Sequence, residues 1–148
     1  MLIDKMNEFA DAASAVVGLG LTVVIGDVID LGATPVLRDI GNGEQIYLVI
    51  QVDTTVVGAN STTQFKLVSD STDNLTTSPT THFATAAIPV ATLVAGYTVC
   101  QVALPNGVNY ERYLGVTATN ATAATTAGKV NAFLTNNPAN WAAYSDQF

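Results

Sequence analysis

The run QIYLVIQVDTTV, residues 45–56, restricts the fold more than any other part of the chain. Ile46, Leu48, Ile50 and Val52 alternate with Tyr47, Val49, Gln51 and Asp53. In an extended strand this alternation puts the two sets on opposite faces. Both faces are apolar at the centre of the run. Such a strand needs cover above and below, so it belongs in the middle of a sheet.

The rest of the chain supplies neighbours for it. LTVVIGDVIDLG (21–32) is rich in β-branched residues and stops at a glycine. TQFKLVSDS (63–71) puts Phe65 and Leu67 on one face, with Gln64 and Lys66 on the other. SDSTDNLTTSPTT (69–81) is turn chemistry. HFATAAIPV (82–90) contains Pro89, which predicts an edge or bulged strand. GYTVCQVALP (96–105) and NYERYLGVTAT (109–119) are further strands, separated by the turn Pro105-Asn106-Gly107. About seven or eight short strands without an interior helix predict an all-β fold. The expected architecture is an antiparallel β-sandwich, jelly-roll-like, in one domain over residues 1–148.

Three segments stand outside that pattern. Leu2, Met6, Phe9 and Ala13 recur at helical spacing, so residues 1–20 read as a short helix or an extended arm whose apolar side, with Phe9, seeks a surface. Residues 112–135 read as two strands, Leu114/Val116/Ala118 and Val130/Ala132/Leu134, joined as a hairpin by about ten small uncharged residues. A long loop without charge favours protein contact, which nominates Thr119, Asn120, Thr122, Thr125 and Thr126. The tail, residues 138–148, carries Trp141, Tyr144 and Phe148, aromatics suited to an interface or to covering an open end of the sandwich.

Composition bears mainly on function. Only 11% of the residues are charged, against about 25% in ordinary soluble domains, and the net charge is −7. Basic residues are scattered, so binding to a nucleic-acid backbone is not expected. The uncharged stretch 12–26 is shorter than the roughly 20 residues of a membrane-spanning helix. Acidic residues precede that stretch, against a secretion signal, so a soluble protein made in the cytoplasm is expected. Cys100, the one cysteine, lies in a strand-like apolar run and reads as a small buried side chain. His82, the one histidine, reads as structural.

Paired carboxylates for glycoside hydrolysis could be sought among Asp27, Asp30, Asp39, Glu44, Asp53 and Glu111, but no aromatic groove accompanies them. Asp70, Asp73 and Asn74 lie in a loop able to offer oxygens to Ca²⁺, without the spacing of a known calcium loop. Arg38 and Asp39 read as a turn with a local ion pair. No catalytic residue, cofactor or metal is expected.

A resemblance gives these features a direction. VIDLG (28–32), RDIGNGE (38–44) followed by YLVIQV, AAIPVATLVAGY (86–97) and RYLGVTAT…TAGKVNAFLT (112–135) occur in this order. Together they resemble the jelly-roll cement proteins of tailed bacteriophages of the Bordetella phage type. The arm up to about residue 20 and the tail after residue 137 match less well. The resemblance implies a structural virion protein on the outer surface of an icosahedral head. Its implied partners are the major capsid protein of HK97-like fold and a second copy of itself, with no nucleic acid and no membrane. The alternative class is a receptor- or carbohydrate-binding β-sandwich module of a phage tail, which would use exposed aromatics such as Trp141.

Overall fold

The computed structural model describes residues 5–33, 40 and 43–138. After a short 3-10 turn, nine strands follow among these residues. They are β1 (Glu8–Ser14), β2 (Thr22–Asp30), β3 (Tyr47–Gly58), β4 (Thr62–Asp70) and β5 (Thr80–Ala84). Then come β6 (Ile88–Pro89), β7 (Thr98–Ala103), β8 (Tyr113–Ala121) and β9 (Thr125–Thr135). One sheet has the order β1-β9-β3-β7 and the other β2-β8-β4-β5, with β6 on β4. The named strands pair antiparallel.

The chain changes sheet at almost every connection. β1 and β3 lie in one sheet, β2 and β4 in the other, and β7, β8 and β9 alternate again; only β4, β5 and β6 follow one another within a sheet. Such crossing between two four-stranded layers, with β6 as an accessory, is the jelly-roll form of the sandwich.

The central strand is the one that the sequence marks out. β3 lies between β9 and β7, with Leu48, Ile50 and Val52 in the core and Val49, Gln51 and Asp53 also buried on the outer face. Facing β3 across the core are Phe65 and Leu67 of β4 and Leu114, Val116 and Ala118 of β8. Val130, Ala132 and Leu134 of β9 join β3 from its own sheet. Each fully buried aliphatic or phenyl side chain contributes about 1.5–3 kcal/mol by leaving water. HFATAAIPV divides into the edge strand β5 and the two-residue β6, as Pro89 foretells. A register shift between Leu67 and Val68 leaves His82 as the extra residue of a bulge.

Two expectations are corrected. The segment read as a helix or an arm holds β1, which pairs with β9 from Glu8↔Phe133 to Ser14↔Lys129. Phe9, nominated for partner contact, is 1% exposed and belongs to the core. The helical spacing of Leu2, Met6, Phe9 and Ala13 is overridden by the open edge of β9, which supplies backbone partners that an isolated helix would lack.

The hairpin with a long loop is the second correction. β8 and β9 lie in different sheets, and only residues 122–124 separate them. The small Thr/Ala residues continue both strands and turn a tight corner between the layers. Thr is a good strand former, and Ala fits where two sheets converge.

Candidate docking surface

The charges of this chain are segregated along the sandwich. At one end meet residues 15–21, the β3–β4 turn, residues 85–97 and the β8–β9 corner. None contains Asp, Glu, Lys or Arg. Backbone bonds show that they are neighbours. Gly58 is paired with Thr125, Thr62 with Ala121 and with Pro89, and Leu19 with Asn120. Val90 N–H donates to the Ser61 carbonyl, and Val56 N–H to that of Leu93.

A buried polar network fastens this end. Thr125 Oγ1 accepts from Val17 N–H at 2.8 Å and from Asn120 Nδ2 at 3.0 Å, and it donates to the Ala15 carbonyl at 2.9 Å. Asn120 Nδ2 also donates to the Val17 carbonyl at 2.9 Å, and Asn120 Oδ1 accepts from Thr63 Oγ1 at 2.8 Å. Ser61 Oγ donates to the Ala123 carbonyl at 2.6 Å. Asn120 and Thr125, nominated as contact residues, are therefore internal, and their hydrogen bonds hold residues 15–20 against the corner. Thr119 is half-buried and shares a hydrogen bond with Thr22.

Thr122 and Thr126 remain exposed. Thr122 has φ 75°, a left-handed conformation that is strained for a β-branched residue. Trp141, Tyr144 and Phe148 lie outside the described residues, as do Arg38 and Asp39.

This same end carries exposed aliphatic groups that sequence reading did not single out. Leu19 is 60% exposed, Leu21 58%, Val57 51%, Val94 48% and Val16 45%. Among the described residues Met6 is the other large exposed apolar side chain. A shallow open groove runs between Thr55–Gly58 and Pro89–Ala91, closed by Val94. An uncharged aliphatic surface on a protein of net charge −7 can bind by burial of apolar area, with little dependence on salt.

The opposite end is charged and polar. Arg112 at the foot of β8 makes a two-pronged bond to Asp30 of β2, Nε to Oδ1 at 3.0 Å and Nη2 to Oδ2 at 2.9 Å, and its guanidinium lies 4.9 Å from the Tyr113 ring centre. The Arg112 hydrogen bond, aided by Gly32 N–H, holds the Asp30 carboxyl below its usual range. Asp70 organises the loop that follows β4. Its oxygens accept from the backbone N–H groups of Thr72, Thr77 and Ser78 and from Ser71 Oγ. Burial pushes the Asp70 carboxyl up, but these four bonds together bring it below the ordinary value.

Asn74 Oδ1 likewise accepts from Thr72 Oγ1 and Thr76 N–H. The Asp70 and Asn74 oxygens considered for Ca²⁺ are thus engaged in closing a turn. Among the described residues, no three His, Cys, Asp or Glu side chains are grouped as metal ligands.

Groups considered for catalysis are spread apart. Asp53 is buried on β3 with Thr54 Oγ1 donating to it, while Glu111 precedes β8 in the other sheet and accepts from Thr80 Oγ1. Burial pushes the Cys100 thiol up to about 12, which suppresses its thiolate. His82 Nε2 lies 2.7 Å from Ser69 Oγ, but Ser69 is wholly buried.

Comparison with known families gives this geometry a context. The family model Bbp16 matches residues 10–134, most of the chain. The chain belongs to the Bbp16 family. Its name denotes a Bordetella phage protein, and the β-sandwich is compatible with a structural virion protein. No curated protein matches the chain. The family match spans β2 to β8 complete, with β1 from Ala10 and β9 up to Leu134, so the charge-free connections all fall within the matched residues.

Proposed function

We propose that this Bbp16-family chain is a capsid cement protein. It binds the outer surface of an icosahedral phage head and clamps neighbouring major capsid protein subunits, so that the shell withstands the pressure of packed DNA. The observation that carries this reading is the uncharged aliphatic end of a rigid sandwich, in a chain from a phage protein family. A clamp needs a stiff body and a surface that leaves water readily. The jelly roll supplies the first and Val16, Leu19, Leu21, Val57 and Val94 supply the second. Acidic charge elsewhere suits a position outside the shell, away from the genome. The protein acts by contact rather than by catalysis, and many weak contacts on one lattice add by avidity.

The test is binding of purified protein to shells that lack it. Leu19→Asp with Leu21→Asp should weaken binding by tenfold or more, because each tenfold corresponds to about 1.4 kcal/mol and two leucines are withheld from burial. Lys66→Glu, on β4 and away from this end, should leave binding unchanged. Equal binding by all three proteins would remove the assigned surface. Retention on glycan arrays without any affinity for shells would favour the tail-module reading instead.

A further inference from the structure

We propose that His82 is an acid-sensitive fastener, which holds the edge strand β5 to residues 110–111 and releases it when the imidazole is protonated. β5 has one neighbour in its sheet, β4, so side-chain contacts toward β4 and the segment before β8 add to the backbone ladder that holds it. The bulge at His82 turns this residue toward Ser69 of β4, with Nε2 and Oγ 2.7 Å apart. Ser69 Oγ also accepts from Glu111 N–H at 3.1 Å. The serine proton is then free to go to His82 Nε2, the arrangement in which Nε2 is the unprotonated nitrogen of a neutral ring.

The Tyr110 ring packs on the imidazole with centroids 4.4 Å apart, and Glu111 Oε1 accepts from Thr80 Oγ1 at 2.9 Å. The start and the middle of β5 are thereby tied to the same short segment.

Protonation reverses the hydrogen bond. Nε2–H would then donate to Ser69 Oγ beside Glu111 N–H, and the proton of the fully buried Ser69 would lose its acceptor. The groups facing the ring are Ser69 from β4 and Tyr110 and Glu111 from the segment before β8. Glu111 is the charged one, and its attraction favours the imidazolium. Burial outweighs that attraction and lowers the affinity of the ring for a proton below the ordinary 6.5. The unfolded or opened strand then binds more protons than the closed one. Closure is fully favoured above about pH 6.5 and weakens as the pH falls below it.

The experiment is amide hydrogen exchange on the full chain between pH 7.5 and pH 5, corrected for intrinsic rates. Protection of β5 amides should fall several-fold relative to β9. His82→Gln keeps an acceptor near the Nε2 position and cannot titrate, so its β5 protection should stay level. Glu111→Gln keeps the bond from Thr80 and removes the charge that favours the imidazolium, so the loss should still begin near pH 6.5 and run deeper than in the wild type. A wild-type β5 that tracks β9 throughout would overturn the proposal. So would an identical loss in His82→Gln, or a loss in Glu111→Gln no deeper than in the wild type.

Discussion

Gly26 marks a close approach between β1 and β2, strands of different sheets. Its φ is +69°, and a Cβ there would lie 2.1 Å from the Phe9 carbonyl oxygen, with Ala10 Cα at 3.0 Å. Neither obstacle is a flexible side-chain end, so the strand itself would have to shift. Gly26→Ala should cost about 3 kcal/mol or more, from left-handed strain and overpacking together. Urea denaturation measures it, and a change below about 0.5 kcal/mol would contradict the close approach.

Thr125 offers a second test at this scale. All its hydrogen-bonding capacity is used inside the protein. Thr125→Val keeps the volume and leaves Val17 N–H without an acceptor, so a loss of about 2–3 kcal/mol is expected. Had Thr125 been a surface contact residue, the same change would leave stability nearly untouched. The sequence does not distinguish these cases, because a threonine that saturates a buried network and one that faces a partner look alike among Ala and Thr.

At the scale of elements, the strands were legible where apolar residues alternate. β3, β4, β7, β8 and β9 all run through the segments that alternation marks, and Phe65, Leu67, Val116 and Val130 point inward as their parity requires. β1 was not legible. EFADAAS has weak strand character, and its place is set by the free edge of β9, more than a hundred residues away. Phe9→Ala should therefore cost about 3–5 kcal/mol, the amount for emptying a core site, as read by thermal or urea unfolding. A peripheral arm would give almost none.

The β8–β9 connection failed for a related reason. Alternation shows that both segments are strands but does not say whether the second returns to the same sheet or crosses to the other.

The loop after β4 belongs to the same scale. Asp70 holds it through bonds to N–H and O–H donors, and its carboxyl titrates below the ordinary 3.8. A lowered carboxyl pKa gives stability that is present above the unfolded value and is lost as pH falls through the folded value. Limited proteolysis between residues 71 and 79 should accordingly rise several-fold below about pH 4, as far as an acid-active protease permits. In Asp70→Asn it should already be raised at neutral pH. A loop equally resistant in both proteins at neutral pH would show that the carboxylate does not organise it.

For the molecule as a whole, what matters is the separation of charge from apolar exposure. The Arg112–Asp30 pair, Asp70 and Glu111 lie at one end, whereas the connections at the far end hold five exposed aliphatic residues and no charge. The lack of charge could be read directly in the sequence, in four separate stretches. That these stretches meet was not readable, because only the crossing of the chain between sheets brings residues 19, 57, 94 and 122 together. A cement on a viral shell requires such a surface, and it requires many copies.

The most direct measurement is the ratio of this chain to the major capsid protein in purified virus particles, by quantitative mass spectrometry. A fixed, simple ratio, with the chain accessible to antibody on intact heads, is the predicted result. A few copies per particle, or none, would contradict a role in holding the shell together.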